Sequence, residues 1–283
     1  MTSTKEQVEV SYDVSNDFFR LWLDENMHYT SAVFEGDMTL EQAQENKARI
    51  LYEFAEVTPD KSVCDIGCGW GSFLDYAVRR GCRSATGVTL STEQAMWARA
   101  RNLKNCEIRI EDYADHVPAQ KYDALVSIEM IDHLCSPAQA RAGQAVALYR
   151  RYFDRLAGWV EPGACFGFQA ILRNRIPRAK KDLEDLAFTA DIIFPGGLNP
   201  RIEEIILAIG NQKWEIVEMH MRREDYGKTT AEWYRRMQLH EAHIRQTWGD
   251  RVYEDYDRYL STCVKAFALH WSGDVQFKLR RIA

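Results

Sequence analysis

One stretch indicates the fold, Val63-Cys64-Asp65-Ile66-Gly67-Cys68-Gly69-Trp70-Gly71-Ser72. An apolar run reaches Asp65 and then breaks into three glycines at alternate positions before a new segment begins at Ser72. This order predicts a strand, a tight turn and the start of a helix. Because glycine has no side chain, Gly67, Gly69 and Gly71 allow a ligand to approach the backbone of the turn closely. The stretch therefore predicts a ligand-binding turn between a strand and a helix.

The spacing of the glycines separates two classes of cofactor. Dinucleotide-binding turns usually follow G-x-G-x-x-G and place a pyrophosphate at a helix N-terminus. Here the spacing is G-x-G-x-G, and Asp65 precedes it. A carboxylate at this point would repel a pyrophosphate, whereas it would attract the ammonium group of an amino-acid-like cofactor. S-adenosylmethionine carries such an ammonium and is the predicted cofactor, while a nicotinamide dinucleotide is the alternative at the level of the fold.

Strands and helices alternate regularly from this turn onward. Parallel β-α-β units of this kind bind ligands at the carboxyl ends of their strands. We therefore predict an α/β, Rossmann-like fold in which polar residues at strand ends meet a cofactor. The predicted strands cover residues 62–66, 84–88, 106–110, 122–129 and 164–172, and the predicted helices cover about 72–80, 92–103 and 137–157.

The rest of the chain predicts a helical cap on this core. A strand is expected near 214–220, a long helical stretch over about 229–269, and a last strand over 275–282. Helices between the final two strands suit a lid over the sheet edge. We predict one domain, 1–283, made of N-terminal helices, a cofactor-binding core, cap insertions with the sixth strand, and the last strand, which cover 1–60, 61–172, 173–272 and 273–283.

Composition and charge argue against several kinds of partner. The 283 residues carry a net charge of −6, which argues against bulk attraction to nucleic acid or to an anionic membrane. No run approaches the ~18 apolar residues of a membrane span, so we predict no integral membrane association. The seven cysteines include no C-x-x-C pair, which predicts reduced core residues, no metal site and a cytoplasmic location. A homo-oligomer is compatible with these features.

Polar residues follow two further predicted strands. Thr89 ends the second strand and Gln94 comes five residues later, a pair that suits the ribose of the cofactor. Gln94 also completes a capping box with Ser91, so a purely structural role is the alternative. After the third strand, Asp112 could accept a hydrogen bond from the adenine amino group, and Tyr113 could lie beside the ring.

Six ordered blocks of the chain resemble one enzyme family. The blocks are Tyr12–Phe19, Tyr29–Ala32, Asp65–Gly71, Gly87–Ser91 with Gln94, Ser127–His133 and Ile193–Gly197. They are similar to the cyclopropane fatty acid synthase and mycolic acid cyclopropane synthase family of S-adenosylmethionine-dependent methyltransferases, which has coclaurine N-methyltransferase-like relatives. The resemblance implies a class I methyltransferase fold with a seven-stranded, mostly parallel sheet and a helical cap over the active site. It also implies a set of cofactor-lining residues, Tyr29, Thr30, Gly67, Gly69, Thr89, Gln94, Asp112 and Tyr113.

The resemblance carries over less completely to the active site. Cyclopropane-forming members look as if they hold a bicarbonate ion, used as the base, with a cysteine, a glutamate, a histidine and a tyrosine. The matching positions here carry Ser31, Asp132, Gln169 and Tyr226, of which only the tyrosine is unchanged. Because Gln169 cannot carry a positive charge, these changes argue against bicarbonate binding and with it against cyclopropane formation.

These residues predict methyl transfer to a hydrophobic small molecule or acyl substrate. Methylation of an alkene or electron-rich carbon leaves a carbocation, and Asp132, His133 or Glu129 could then remove a proton while Tyr226 orients the substrate. We predict C-methylation in a biosynthetic pathway. N-methylation of a small amine, a true cyclopropane synthase and a non-catalytic cofactor-binding subunit are the alternatives.

Overall fold

A seven-stranded sheet forms the centre of the computed structural model, which describes residues 14–210 and 213–282. The strands are β1 (Ser62–Ile66), β2 (Ser84–Thr89), β3 (Cys106–Ile110), β4 (Tyr122–Ile128), β5 (Val160–Arg173), β6 (Trp214–Met221) and β7 (Ser272–Arg281). Their order in the sheet is β3-β2-β1-β4-β5-β7-β6, and only β7 runs antiparallel to its neighbours. The predicted α/β fold with a mostly parallel sheet is confirmed. Tyr12 and Asp13 of the first sequence block lie outside the described residues.

Helices cover both faces of the sheet. They are α1 (Asn16–Arg20), α2 (Leu40–Phe54), α3 (Ser72–Arg79), α4 (Thr92–Ala100), α5 (Pro137–Arg141), α6 (Ala145–Ala157), α7 (Lys180–Phe188), α8 (Ile202–Ile209), α9 (Arg223–Leu239), α10 (Glu241–Trp248) and α11 (Asp250–Ala268). Apolar residues of α2, α3 and α4 pack on one face, and those of α6 and α8 pack on the other. Within the described ranges, none of the helices combines the length and the apolar character needed to cross a membrane.

The predicted cap is built from α1 and from α9 to α11, which lie between β6 and β7 in the chain. Aromatic side chains hold it together. The rings of Phe18 and Tyr256 meet edge to face with centroids 4.6 Å apart, and those of Trp22 and Trp233 do so at 5.8 Å. Such pairs stabilise a packed core beyond the burial of their area. The aromatic residues of the cap therefore serve largely as its own core.

Several element boundaries differ from the predictions, most of all in three places. The stretch 229–269 forms parts of three helices rather than one, and Gly249, with a φ of +93°, separates the last two. The predicted helix 137–157 is divided into α5 and α6 near Gly143, which has a φ of +72°. Glycine in a left-handed conformation commonly ends a helix. The fifth strand begins at Val160, before the predicted start at 164.

Candidate active site

The glycine-rich turn follows β1 as predicted and forms one wall of a large cavity. Gly67, Gly69 and Gly71 have φ values of +81°, +53° and +79°, which residues with a side chain rarely adopt. A Cβ atom at Gly67 would lie 2.7 Å from the Cγ of Met130, so space is also lacking there. The turn therefore leaves its backbone open to the cavity, whose volume is about 540 Å³.

The cavity brings most of the predicted site residues together. Three of them do not line it. Gly71 is the N-cap of α3, and Ser31 and Gln169 are fully buried beside Glu129. The predicted residues that do line the cavity are Tyr29, Thr30, Asp65, Gly67, Gly69, Thr89, Gln94, Asp112, Tyr113, Glu129, Asp132, His133 and Tyr226.

Asp65 places a buried carboxyl at the cofactor end of the cavity. Its side chain is 2% exposed, and its Oδ1 has no hydrogen-bond partner. Burial raises the pKa of Asp65 to about 7, and the nearby Lys47 opposes this rise. A buried carboxyl with an unsatisfied oxygen is costly in isolation. An ammonium group would satisfy it, so the residue fits the amino-acid end of S-adenosylmethionine.

Thr89 and Gln94 meet at the end of β2. The Oγ1 of Thr89 lies 3.4 Å from the Oε1 of Gln94, and both side chains line the cavity. Ser91 caps α4 by accepting a hydrogen bond from the backbone N of Gln94 at 3.2 Å. The side chain of Gln94 does not complete the predicted capping box, because it turns toward Thr89 and the cavity. This position favours the ligand-binding alternative for Gln94.

Asp112 and Tyr113 follow β3 and line the same cavity. The Oδ1 of Asp112 accepts a hydrogen bond from the backbone N of Ala114 at 2.8 Å, which fixes the turn. The ring of Tyr113 packs edge to face on Tyr152 with centroids 5.2 Å apart. Both side chains are therefore held in place beside the region predicted to bind adenine.

Lys47 is a buried cation in the cavity wall that the sequence patterns did not indicate. Its Nζ donates a hydrogen bond to the Oγ1 of Thr30 at 2.7 Å. Burial lowers the pKa of Lys47 to about 8, and the carboxylate of Glu129 is the largest influence opposing that change. Lys47 lies one helical turn from the buried residues Ala43 and Leu51 on α2. Its position on an apolar helix face was the available signal.

Glu129 lies at the centre of a hydrogen-bonded cluster after β4. Its Oε1 accepts hydrogen bonds from the backbone N of Ser31 at 2.8 Å and from the Nε2 of Gln169 at 2.6 Å. Its Oε2 accepts a hydrogen bond from the hydroxyl of Tyr226 at 2.6 Å. Ser31, Gln169 and Tyr226 are three of the four positions that the resemblance assigns to bicarbonate. In this chain each of them donates a hydrogen bond to the carboxylate of Glu129.

Glu129 has both a raised side-chain pKa and an unusual backbone conformation. Burial raises its pKa to about 7, although the hydrogen bonds from Tyr226, Ser31 and Gln169 oppose the rise. Its φ of +52° is left-handed, a conformation that costs a non-glycine residue about 1 kcal/mol or more. Strained backbone of this kind tends to occur at functional sites. Glu129 can therefore exchange a proton near neutral pH from a strongly constrained position.

Asp132 and His133 form a second polar pair in the cavity wall. They lie in a 3₁₀ turn, Ile131–Leu134, and the Oδ2 of Asp132 is 3.6 Å from the Nε2 of His133. The Oδ1 of Asp132 and the Nδ1 of His133 are buried without a hydrogen-bond partner. Burial raises the pKa of Asp132, and His133 opposes the rise. Asp132 thus pairs with His133 and is separate from the cluster around Glu129.

The part of the cavity beyond these polar groups is mostly apolar. It extends along the end of β5, α7 and the cap, and Ile176 at its margin is 72% exposed. Although Arg173, Arg175 and Arg201 also line the cavity, a pocket whose lining is predominantly apolar suits a hydrophobic ligand. The apolar lining residues in this part are Ile171, Ile176, Pro177, Leu183, Leu186, Phe194, Leu198, Phe267 and Trp271.

The strand order, the acidic residue near the end of β1 and the glycine turn define the class I methyltransferase fold. The chain matches the family model described as mycolic acid cyclopropane synthetase over residues 1–277, and it belongs to this family. The predicted family, the S-adenosylmethionine-dependent methyltransferase class and the cofactor are therefore confirmed. The roles of the individual site residues and the absence of bicarbonate stay predictions.

Relatives match along nearly the whole chain. Cyclopropane mycolic acid synthase 2 of Mycobacterium tuberculosis is 30% identical over 292 residues, which cover 97% of this chain and 94% of the relative. The "Probable fatty acid methyltransferase" of Pseudomonas putida is 30% identical over 94% of this chain and 66% of its own length. The cyclopropane synthase MmaA2 of Mycobacterium tuberculosis has a similar structure, with a TM-score of 0.90, 26% identity and 99% of each chain covered.

Proposed function

We propose that the chain methylates an unsaturated carbon of an acyl chain, with Glu129 as the proton acceptor. The observation that carries this proposal is the partly buried carboxylate of Glu129, held by three hydrogen bonds beside a largely apolar cavity. The names of two relatives, a cyclopropane mycolic acid synthase and a fatty acid methyltransferase, support an acyl substrate. The apolar side chains of the cavity would bind such a chain and exclude water from it.

The end of the cavity at the glycine turn would hold the cofactor. When it is bound, S-adenosylmethionine supplies an electrophilic methyl group. In this arrangement Asp65 binds the ammonium group, and Thr89 with Gln94 binds the ribose. Asp112 accepts from the adenine amino group, and Tyr113 lies beside the ring. The chain contributes orientation and exclusion of water to the transfer step.

Glu129 would take the proton that the substrate loses. The π electron pair of an alkene would form one C–C bond to the methyl group as its bond to sulfur breaks, which leaves S-adenosylhomocysteine as the second product and a carbocation at the neighbouring carbon. Loss of a C–H proton to Glu129 returns the electron pair to carbon and gives an uncharged product. A pKa of about 7 suits a general base at neutral pH. Tyr226, whose ring stacks on Phe267 at 4.4 Å, would provide an aromatic face near the cation.

We further propose that the reaction needs no bicarbonate. The groups of Ser31, Gln169 and Tyr226 are already engaged by the carboxylate of Glu129. A second anion at this place would meet the negative charge of Glu129. An internal carboxylate therefore takes the role of base that the resemblance gives to a bound ion.

Product analysis tests these proposals. The purified chain is incubated with methyl-¹³C-labelled S-adenosylmethionine and either a monounsaturated phospholipid, a monounsaturated acyl thioester or a mixture of small amines. Each reaction is run with bicarbonate and in bicarbonate-free buffer. We expect ¹³C NMR to find the label in a branched methyl or methylene group, with the same yield in both buffers. Label found only on nitrogen would overturn C-methylation, and a bicarbonate-dependent cyclopropane product would overturn the role of Glu129.

N-methylation is the second candidate function because of the Asp132–His133 pair. The unpartnered Oδ1 of Asp132 could bind a substrate ammonium. In that case Asp132→Asn would abolish transfer, whereas under C-methylation it should leave most of the activity.

We also propose that residues 1–283 act as one methyltransferase domain in the cytoplasm, and the seven free cysteines support a reducing compartment. Self-association stays a prediction.

A further inference from the structure

We infer that Arg222 and Gln276 position the carboxylate of Glu129 for proton transfer by fixing the direction of a buried line of amides. This inference rests on the role proposed above for Glu129 as proton acceptor. Arg222 and Gln276 lie outside the cavity wall, and no sequence motif pointed to them. They act through Gln169 and are therefore positioning residues.

Three hydrogen bonds run in one line from Arg222 to Glu129. The Nε of Arg222 donates to the Oε1 of Gln276 at 3.0 Å, and the Nε2 of Gln276 donates to the Oε1 of Gln169 at 2.8 Å. The Nε2 of Gln169 then donates to the Oε1 of Glu129 at 2.6 Å. Gln169 and Gln276 are direct partners across β5 and β7, and both are fully buried. The line thus connects the partly exposed Arg222, after β6, with the active site.

The direction of this line is set by the arginine. A glutamine amide can present either its oxygen or its NH₂ group, whereas a guanidinium group can only donate. Because Arg222 donates, Gln276 accepts with its oxygen and turns its NH₂ group to Gln169. Gln169 in turn directs its NH₂ group to Glu129 and, at 3.4 Å, to the backbone O of Ser31. If both amides were reversed, Gln169 would present an oxygen, and only a protonated Glu129 could bond to it.

The other polar and charged groups near Glu129 act on its charge without setting the direction of the amides. Lys47 on α2 stabilises the carboxylate through its charge, and Tyr226 on α9 donates to the other oxygen. Asp274 on β7 is buried, and neither of its oxygens has a hydrogen-bond partner. Burial raises the pKa of Asp274 well above its usual range, and the neighbouring Glu129 adds to the rise. Within the described residues, the guanidinium of Arg222 is the cation that donates a hydrogen bond to this line of amides.

A titration of Glu129 in the full-length chain tests the inference without any substrate. Infrared difference spectra against Glu129→Gln isolate the carboxyl band of this residue. We expect Arg222→Met and Gln276→Met each to raise its pKa by about one pH unit, since a charged group loses a directed donor. Arg222→Lys keeps a donor and should stay near the wild-type value. Arg223→Met is the matched control, because the Nη1 of Arg223 donates to the backbone O of Phe267 instead.

Turnover provides a second readout. In Arg222→Met, the acidic limb of the pH profile of kcat should shift to higher pH by the same amount as the pKa of Glu129. The KM for S-adenosylmethionine should stay unchanged. An unchanged titration in a folded Arg222→Met variant would overturn the inference, and so would an equal shift in Arg223→Met. A shifted titration without methylation of any acyl substrate would instead refute the proposed function and leave the positioning of Glu129 supported.

Discussion

Glu129→Gln should remove the proton acceptor while it preserves the structure around it. The glutamine Oε1 can still accept from the backbone N of Ser31 and from Gln169, as the carboxylate does at 2.8 and 2.6 Å. The new NH₂ group can donate to the hydroxyl of Tyr226, which can reverse its role. All three contacts are thus retained, and the loss is confined to proton transfer. General-base catalysis contributes about 10²- to 10⁴-fold, so kcat should fall by that factor, equivalent to about 3–5 kcal/mol.

The assay separates this effect from loss of binding or folding. Single-turnover transfer of a labelled methyl group gives the rate, and calorimetry with S-adenosylhomocysteine gives the affinity at the cofactor site. We expect the affinity and the melting temperature to stay near their wild-type values. Glu218→Gln, on the exposed side of β6, is the matched control for loss of one carboxylate and should retain full activity. A Glu129→Gln variant with kcat within about twofold of wild type would refute the assignment of the base.

Asp65→Ala should abolish S-adenosylmethionine binding, because it removes the buried carboxyl that fits the ammonium group, and an unchanged affinity in calorimetry would contradict this site. Asp274→Asn should raise the melting temperature relative to the wild type, and this difference should grow as the pH rises. Below pH 3.8, the usual pKa of an aspartate, Asp274 makes its full contribution to the stability of the wild type. Because its pKa is raised in the folded state, this contribution to the free energy of unfolding falls by about 1.4 kcal/mol per pH unit as the pH rises toward the folded-state pKa. Asparagine does not titrate, so a difference between variant and wild type that is independent of pH would speak against this reasoning. Gly167→Ala should lower the free energy of unfolding by about 1–3 kcal/mol, because the new Cβ would lie 2.6 Å from the backbone O of Leu51. An unaltered midpoint in urea unfolding would contradict this, since it would mean that α2 moves away from the new Cβ without cost.

Short-range patterns account for the features that the sequence predicted well. The turn after Asp65 depends on glycine at positions with positive φ, and those glycines lie at alternate positions of one short stretch. The alternation of strands and helices is also a local property. Thr89 and Asp112 could be placed at the ligand edge because parallel strands bring their carboxyl ends to one side of the sheet.

The contacts of Glu129 could not be predicted in this way because they join distant segments. Its partners Ser31, Gln169 and Tyr226 lie 98, 40 and 97 residues away in the chain. No pattern in the sequence indicates which acid fills the space between them. Glu129 was therefore one of three candidate bases in the sequence, and its contacts became visible only in the structure. Lys47 was missed for a similar reason, since the burial of its charge depends on how α2 packs on the sheet.

The left-handed backbone at Glu129 has a consequence for how this enzyme family can diversify. A φ of +52° suits glycine better than any residue with a side chain. Exchanging Glu129 for glycine would therefore relieve the backbone strain and leave a space the size of one carboxylate. The hydrogen-bond donors that now contact Glu129 would still line this space. A small anion from solution could occupy it. Under the proposed role of Glu129, a change of one codon would replace a base carried by the chain with one taken from the surrounding medium.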